Sequence, residues 1–491
     1  MQYNMENDTI AAIATALSPS GISIVRISGP EAVSVASRVF QGVSLAACES
    51  HTVHYGHIVN PADGRVIDEV MVLILKAPRT YTREDTVEID CHGGVLVTKR
   101  VLEAVLAAGA RLAEPGEFTR RAYLNGRIDL SQAEAVAGVI SAKNELSLKN
   151  SIRQLSGRER EEISAIRAEL LREIAQIEAT LDDPEHLSFE GFDEVITRQT
   201  DAQAKRIKKL LDTADDGRKI TEGIRTVIVG RPNAGKSSLM NLLLGEDRAI
   251  VTDIAGTTRD TLTEEVRMRG ITLLLVDTAG IRETTDTVER IGVTRAQRAA
   301  SEADLILYVA DSSAPLDDND RAILAACAGK PMIALLNKSD LPGMTTAAEL
   351  REAVRAAAGD GFVASADGAA GAGASAEGAP VAGTGTDEPI AISAKTGEGL
   401  ADLEERITGM FFADRIRMDE ECIITSERHK QALSAAADSL ARVQESIAAG
   451  MSEDFYTIDL TAAYESLGSI LGEEPDEDVI NAIFAEFCMG K

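Results

Sequence analysis

The sequence predicts a multidomain α/β plus α chain, and three patterns carry that reading. Short β-branched runs broken by glycine turns fill the first 125 residues. Apolar residues stepping by three and four mark the stretch of about 126–222, and helical pattern returns after about 416. Between them, short buried-type strands alternate with helices, and the first strand runs into a phosphate-loop sequence. A chain of 491 residues has room for about three domains.

The N-terminal part, 1–125, reads as α+β. Ile22–Ile27, Val70–Leu75 and Thr86–Cys91 are β-branched runs, and Pro61-Ala62-Asp63-Gly64 is a turn sequence. Thr98–Ala108 reads as a helix. The second part, 126–222, is helical. Its clearest stripe is Ile163, Ile166, Leu170, Ile174, Ile177 and Leu181, one face of one helix, stopped by Asp182-Asp183-Pro184. The third part, 223–415, alternates: Thr226–Val229, Leu273–Val276, Leu305–Val309, Met332–Leu336 and Ile390–Ile392 suit buried parallel strands. Within it, about 356–388 is an Ala/Gly/Ser tract with no Lys or Arg from Ala356 to Gly385, too poor in apolar surface to offset its ordering entropy; a flexible insertion is expected. The remainder, 416–491, is helical again.

Composition narrows the class. Hydrophobic residues make up 44% and charged residues 26%, ordinary for soluble globular material. No apolar run reaches the ~20 residues of a membrane span. The opening MQYNMENDTI has no basic leader with an apolar core and no Arg-rich amphipathic leader, so neither export nor organelle import is expected. Five scattered cysteines (Cys48, Cys91, Cys327, Cys422, Cys488) without a CxxC pair fit reduced thiols in a cytoplasm. The net charge of −29 repels phosphate backbones, and 3% aromatic residues with no Trp leave few base-stacking platforms. Any work on a nucleic acid must lean on a partner or a local patch.

The third part carries the chemistry. Gly230-Arg-Pro-Asn-Ala-Gly-Lys236-Ser237 matches GxxxxGK[ST] between a strand and a helix, where Asn233, Ala234 and Gly235 wrap phosphates with backbone N–H groups. Lys236 would reach the β- and γ-phosphates, and the Ser237 hydroxyl would bind Mg²⁺, with Ser238 following on the same turn. Asp277-Thr278-Ala279-Gly280 sits where a Walker-B aspartate belongs. Asn337-Lys338-Ser339-Asp340 matches the base-reading NKxD, in which a carboxylate accepts from guanine N1–H and its 2-amino group, a pair that adenine lacks. Ser393-Ala394-Lys395 matches the loop that backs the base. Four motifs in this order, each at a strand end, point to GTP.

Between the first two motifs lies Thr252-Asp253-Ile254-Ala255-Gly256-Thr257-Thr258-Arg259-Asp260. Together with GRPNAGKSS it resembles the MnmE (TrmE) family of tRNA-modification GTPases. The chain ends support that resemblance over related ribosome-assembly GTPases: DTIAA and GISIVRISG near the start, EIDCHGG from Glu88, PGEF from Pro115, RAYLNGRIDL from Arg121, and a final FCMGK. The resemblance spans nearly the whole chain. It implies an N-terminal tetrahydrofolate-binding domain that dimerises, a helical domain built from 126–222 and 416–491, and a Ras-like P-loop GTPase domain inserted into it. It also implies addition of a carboxymethylaminomethyl-type group to C5 of the wobble uridine (position 34) of certain tRNAs, with an FAD-binding MnmG (GidA) partner in a heterotetramer-type complex. The rival reading is a ribosome-assembly or regulatory GTPase switch.

Site roles follow the resemblance. Ile281 stands where many GTPases carry a water-orienting Gln, so that role falls to Glu289. With no arginine finger evident, a K⁺ ion is expected at the interface of two paired GTPase domains, held by Asn233 and backbone oxygens of Thr252, Ile254 and Thr257. Thr258 would join Ser237 on Mg²⁺. A 5-formyl or 5,10-methylene tetrahydrofolate would meet Arg26, Glu88, Arg127 and Lys491; many relatives carry Lys at the position of Arg127. Cys488 reads either as a small buried hydrophobe or as a thiol near the folate and uridine chemistry. His51, His54 and His57 step by three along a strand-like stretch, which alternates faces and denies them a common metal.

Overall fold

A computed structural model describes residues 8–182, 192–245, 263–276, 303–358, 388–412, 423–473, 477–485, 487 and 490. The chain divides into two compact units, one formed by residues 1–141, 151–207 and 431–491, the other by 142–150 and 208–430.

The first unit holds a seven-stranded sheet: β1 (Ile10–Ile13), β2 (Ile22–Ser28), β3 (Phe40–Gln41), β4 (Thr52–Val59), β5 (Val66–Leu75), β6 (Thr86–His92) and β7 (Arg111–Leu112). Its order is β3-β4-β5-β6-β2-β1-β7, antiparallel except for β1 with β7. Alternation along β2, β5 and β6 buries Val25, Ile27, Val70, Val72, Ile74, Val87 and Ile89 beneath helices Ala32–Val39 and Val95–Ala107. The expected turn joins β4 to β5: Gly64 takes φ +72, and the Asn60 and Asp63 side chains accept from the Ala62 and Arg65 amides.

The same unit carries helices Arg158–Asp182, Glu453–Leu471 and Glu477–Ala485. Ile163, Ile166, Leu170, Ile174 and Ile177 are buried, as their spacing predicts, while Leu181 at the last turn of the helix is 40% exposed. Middle and C-terminal segments are joined by Arg167, which pairs Nη1 and Nη2 with Glu473, donates from Nε to the Tyr464 carbonyl and lies 4.0 Å over the Tyr464 ring. Gly468 makes room for it, since a Cβ there would lie 2.9 Å from Arg167 Nη2.

The second unit holds a six-stranded sheet: β8 (Ile224–Val229), β9 (Thr263–Met268), β10 (Ile271–Val276), β11 (Leu305–Asp311), β12 (Met332–Asn337) and β13 (Ile390–Ile392), in the order β13-β12-β11-β8-β10-β9. All five expected strands are present and parallel. The edge strand β9 is an addition that the sequence pattern does not announce. It runs antiparallel to β10 through Arg269 (φ 43) and Gly270 (φ 81), the two left-handed residues that a tight hairpin requires. Two apolar layers flank the sheet, one including Leu239, Leu243 and Ile407, the other Tyr308, Leu324 and Leu350. Among the described residues no helix is long and apolar enough to cross a membrane.

Candidate functional site

The strongest site grows from the carboxyl ends of the parallel strands in the second unit. Strand β8 ends at Val229, and the next position must be glycine: Gly230 adopts φ +151, and a Cβ there would sit 2.3 Å from the Val309 carbonyl of the neighbouring strand. The loop turns through Asn233 (φ 60) and Gly235 (φ 96), then opens helix Lys236–Leu244. The result is a concavity at a helix N-terminus, where backbone N–H groups and the helix dipole favour an anion. Lys236 Nζ donates to the Gly230 and Arg231 carbonyls at 2.8 Å each, and burial pulls its pKa down. Ser237 and Ser238 are exposed on the first turn of the helix.

One buried side chain joins this loop to the two downstream motifs. Asn337, 2% exposed at the end of β12, donates to the Ala234 carbonyl at 2.8 Å and accepts from the Ala394 amide at 3.0 Å. A Cβ on Gly235 would lie 2.1 Å from its amide nitrogen, so the contact itself demands glycine. Asp340 accepts from Ser393 Oγ at 2.8 Å, and Ser393 Oγ accepts in turn from the Thr396 amide at 3.2 Å. One carboxylate oxygen is thereby fixed, and the other has no partner among the described residues. Lys338 takes φ 65 and donates to Asp311 Oδ2 at 2.6 Å. Burial pushes the Asp311 carboxyl up, but Lys338 and the Ser313 donors outweigh it and hold it below the usual carboxylate range. Asp311 is a support that motif reading missed; its only sequence signal is a carboxylate at the end of an apolar strand. Lys395 is exposed beside this cluster.

Strand β10 ends at Val276, immediately before Asp277. Asp277, Thr278, Ala279, Gly280, Glu289 and the stretch from Thr252 to Thr258 lie outside the described residues.

A second cluster sits in the seven-stranded unit. Register places Arg26 of β2 opposite Glu88 of β6, and Arg26 Nε donates to Glu88 Oε1 at 2.8 Å. Arg26 Nη1 also donates to the Gly490 carbonyl at 3.1 Å, bringing the C-terminal segment to the pair. Gly490 has φ +96, and a Cβ there would meet the Ile13 carbonyl at 2.3 Å. The Tyr81 ring lies 6.0 Å from the Arg26 guanidinium and 4.7 Å from that of Arg127, with Phe118 5.7 Å from Arg26. Burial raises the Tyr81 pKa against the lowering pull of Thr119, Arg127 and Arg26. Arg26, Glu88 and Arg127 therefore share one neighbourhood, whereas Cys488 and Lys491 lie outside the described residues. Tyr81 is the residue that sequence reading missed.

The charges around Arg121 have a structural task. Arg121, 5% exposed, donates to Asp8, Glu84 and Glu117, and Arg111 joins Asp8 and Glu117 at 2.6 Å each. His54 and His57 lie on opposite faces of β4, and among the described residues no three His, Cys, Asp or Glu side chains group to hold a metal.

Phosphate loop, strand-end NKxD and backing loop, held by one asparagine, define a P-loop protein of the GTPase class. A profile of the MnmE helical domain matches residues 130–488, and one of the GTP-binding protein TrmE N-terminus matches residues 9–127. The tRNA modification GTPase MnmE of Lachnoclostridium phytofermentans is 52% identical over 99% of this chain and 100% of its own length. That of Lactobacillus delbrueckii subsp. bulgaricus is 45% identical over 100% of both chains. A solved structure of Aquifex aeolicus Era is 23% identical, covering 44% of this chain and 66% of that one with a TM-score of 0.26. The chain belongs to the MnmE family of tRNA modification GTPases. An N-terminal domain, a helical domain and a P-loop GTPase domain follow, as the sequence predicts.

Proposed function

We propose that this chain hydrolyses GTP to drive modification of C5 of the wobble uridine in certain tRNAs, as a cytoplasmic homodimer working with an FAD-binding partner of the MnmG type. The observation that carries the reading is Asn337, which ties the phosphate loop to the base-reading loop within a chain similar to its relatives from end to end.

The residues present fit GTP. The Lys236 ammonium is partly desolvated and, among the described residues, held by loop carbonyls alone, so an anionic phosphate is its natural counter-charge. The free oxygen of Asp340 suits the guanine edge, with Asn337, Lys338, Ser393, Ala394 and Lys395 framing the base. Ser237 offers an exposed hydroxyl to Mg²⁺, joined by Thr258 and, through water, Asp277. Asn233, exposed at a left-handed point of the loop, suits K⁺ together with Thr252, Ile254 and Thr257. Both cations, when bound, offset charge that builds on the phosphates. Glu289 orients the attacking water.

For the folate, Glu88 keeps one oxygen for the donor edge of a pterin while Arg26 holds the other. Arg127 and Lys491 suit its carboxylates.

Mass spectrometry of wobble nucleosides from cells lacking the protein tests the reading. Loss of the carboxymethylaminomethyl-type group is expected. Normal tRNA with defective ribosomal subunits would instead favour an assembly switch. GTP turnover should be faster in KCl than in NaCl, and equal rates would remove K⁺ from the mechanism. Glu289→Ala should bind GTP normally and lose turnover; hydrolysis at the parent rate would remove Glu289.

A further inference from the structure

Beside Tyr81 the seven-stranded unit opens a cleft of about 420 Å³ lined by His51, Arg79, Tyr81, Arg83 and Arg127, with no carboxylate among its lining residues. A wall of three arginines and a histidine is notable in a chain of net charge −29. Arg79 and Arg127 are exposed and have no ion pair among the described residues. Arg83 Nη1 donates to the Asn125 carbonyl at 2.9 Å, which holds its guanidinium on the turn that carries Arg127.

The backbone marks the same place. Five described non-glycine residues adopt left-handed φ: His51, Arg83, Asn233, Arg269 and Lys338. Arg269 belongs to the β9–β10 hairpin, and Asn233 and Lys338 shape the nucleotide loops. The remaining two, His51 (φ 64) and Arg83 (φ 62), both line this cleft. Left-handed backbone is unfavourable for such residues and collects where surrounding structure holds a site in place.

The cleft shares the Tyr81 ring with the Arg26–Glu88 pair. We infer that it holds the oligo-γ-glutamate tail of a folate, so that this chain takes its cofactor in polyglutamylated form. The inference rests on the folate reading proposed above. Each added glutamate brings one carboxylate to a surface that offers guanidinium forks and no competing acid. An RNA backbone needs a longer basic track than the three arginines and one histidine of this open cleft supply, and the rest of the acidic chain repels it.

Calorimetry on the full-length protein, with 5-formyltetrahydrofolate carrying one or five glutamates, tests the inference. The pentaglutamate should bind about tenfold tighter at low salt, an advantage that shrinks as KCl screens the exposed charges. Arg79→Glu should bring the ratio of the two affinities close to one, and Arg79→Lys should keep most of it. A thermal melt checks that each variant folds, and Arg79→Gln repeats the ratio measurement should the charge reversal unfold the chain. Equal affinities in the parent overturn the tail assignment while leaving the folate reading intact. A parent that binds neither form overturns the folate reading and the tail with it. A ratio that survives both Arg79→Glu and Arg83→Gln removes the cleft from folate binding. If Arg79→Glu keeps the ratio and loses tRNA affinity, the cleft serves phosphates instead.

Discussion

Replacing Asn337 with alanine should weaken guanine-nucleotide binding although Asn337 need not touch the nucleotide. The side chain spans two loops that belong to different strand ends, β8 and β13, and both of its bonds are to backbone groups. Truncation deletes a bond at 2.8 Å and one at 3.0 Å, each contributing about 1 kcal/mol net. It also strands the Ala234 carbonyl in a place where Ala234 itself is 0% exposed, so water does not easily replace the lost donor. An unsatisfied buried group adds about 1–3 kcal/mol, for a total of about 3–5 kcal/mol. Part of that loss falls on the stability of the sheet and part on the positioning of the loops. If about 2 kcal/mol falls on positioning, the Kd for a fluorescent GDP analogue rises about 30-fold. Urea denaturation of the same variant measures the other share. Asn337→Asp sharpens the test, because it keeps an acceptor for the Ala394 amide but sets an anionic oxygen against the Ala234 carbonyl. It should bind nucleotide at least as poorly as the alanine variant. A Kd within twofold of the parent for both variants, with unchanged denaturation, would refute the idea that this asparagine positions the site.

Asp340→Asn should keep the bond from Ser393 and lose the charge-assisted contact to guanine, weakening GTP about 10- to 100-fold in a competition assay against XTP. Glu173 supplies a pH prediction. Its carboxyl is 3% exposed, accepts from Gln203 Nε2 at 2.7 Å, and is pushed up to about 7 by burial, with Glu169 adding to the rise. A pKa raised on folding stabilises the chain below the unfolded value near 4.5, and that stabilisation is lost as pH rises through about 7. The melting temperature of the seven-stranded, helical unit should therefore fall between pH 5 and pH 8. Glu173→Gln should flatten that dependence, and a parent melt independent of pH would show that Glu173 is ionised throughout. Glu173 Oε2 is buried without a partner among the described residues, and a neutral acid or amide there avoids burying an uncompensated charge.

How much of this was legible in the sequence depends on whether the signal is local. The phosphate loop was, because glycine spacing, a lysine and an apolar strand occupy one continuous stretch, and the backbone there can fold in one way only. The five parallel strands were, because full burial leaves near-continuous apolar runs. Strand β9 was not: Thr263–Met268 opens with Thr-Glu-Glu and offers only Val266 and Met268 as apolar residues at a sheet edge, and its turn is Arg-Gly instead of the Asn-Gly that announces a hairpin. The Arg121 network shows the converse failure. Asp8, Glu84, Arg111, Glu117 and Arg121 are spread over more than a hundred residues, so no pattern along the chain distinguishes a buried ionic cluster from a ligand site.

The same logic explains which residues each site could hide. Asp311 and Tyr81 act through partners far away in sequence, Lys338 in one case and Arg26 with Arg127 in the other. Neither is part of a spacing rule, because each is placed by sheet register or loop packing after the motifs have already been set. Tyr81 lies seven residues before Glu88 of β6, whose partner across the β6–β2 pairing is Arg26. The Arg127 guanidinium lies 4.7 Å from the Tyr81 ring centroid, a contact that a planar guanidinium makes better than an ammonium.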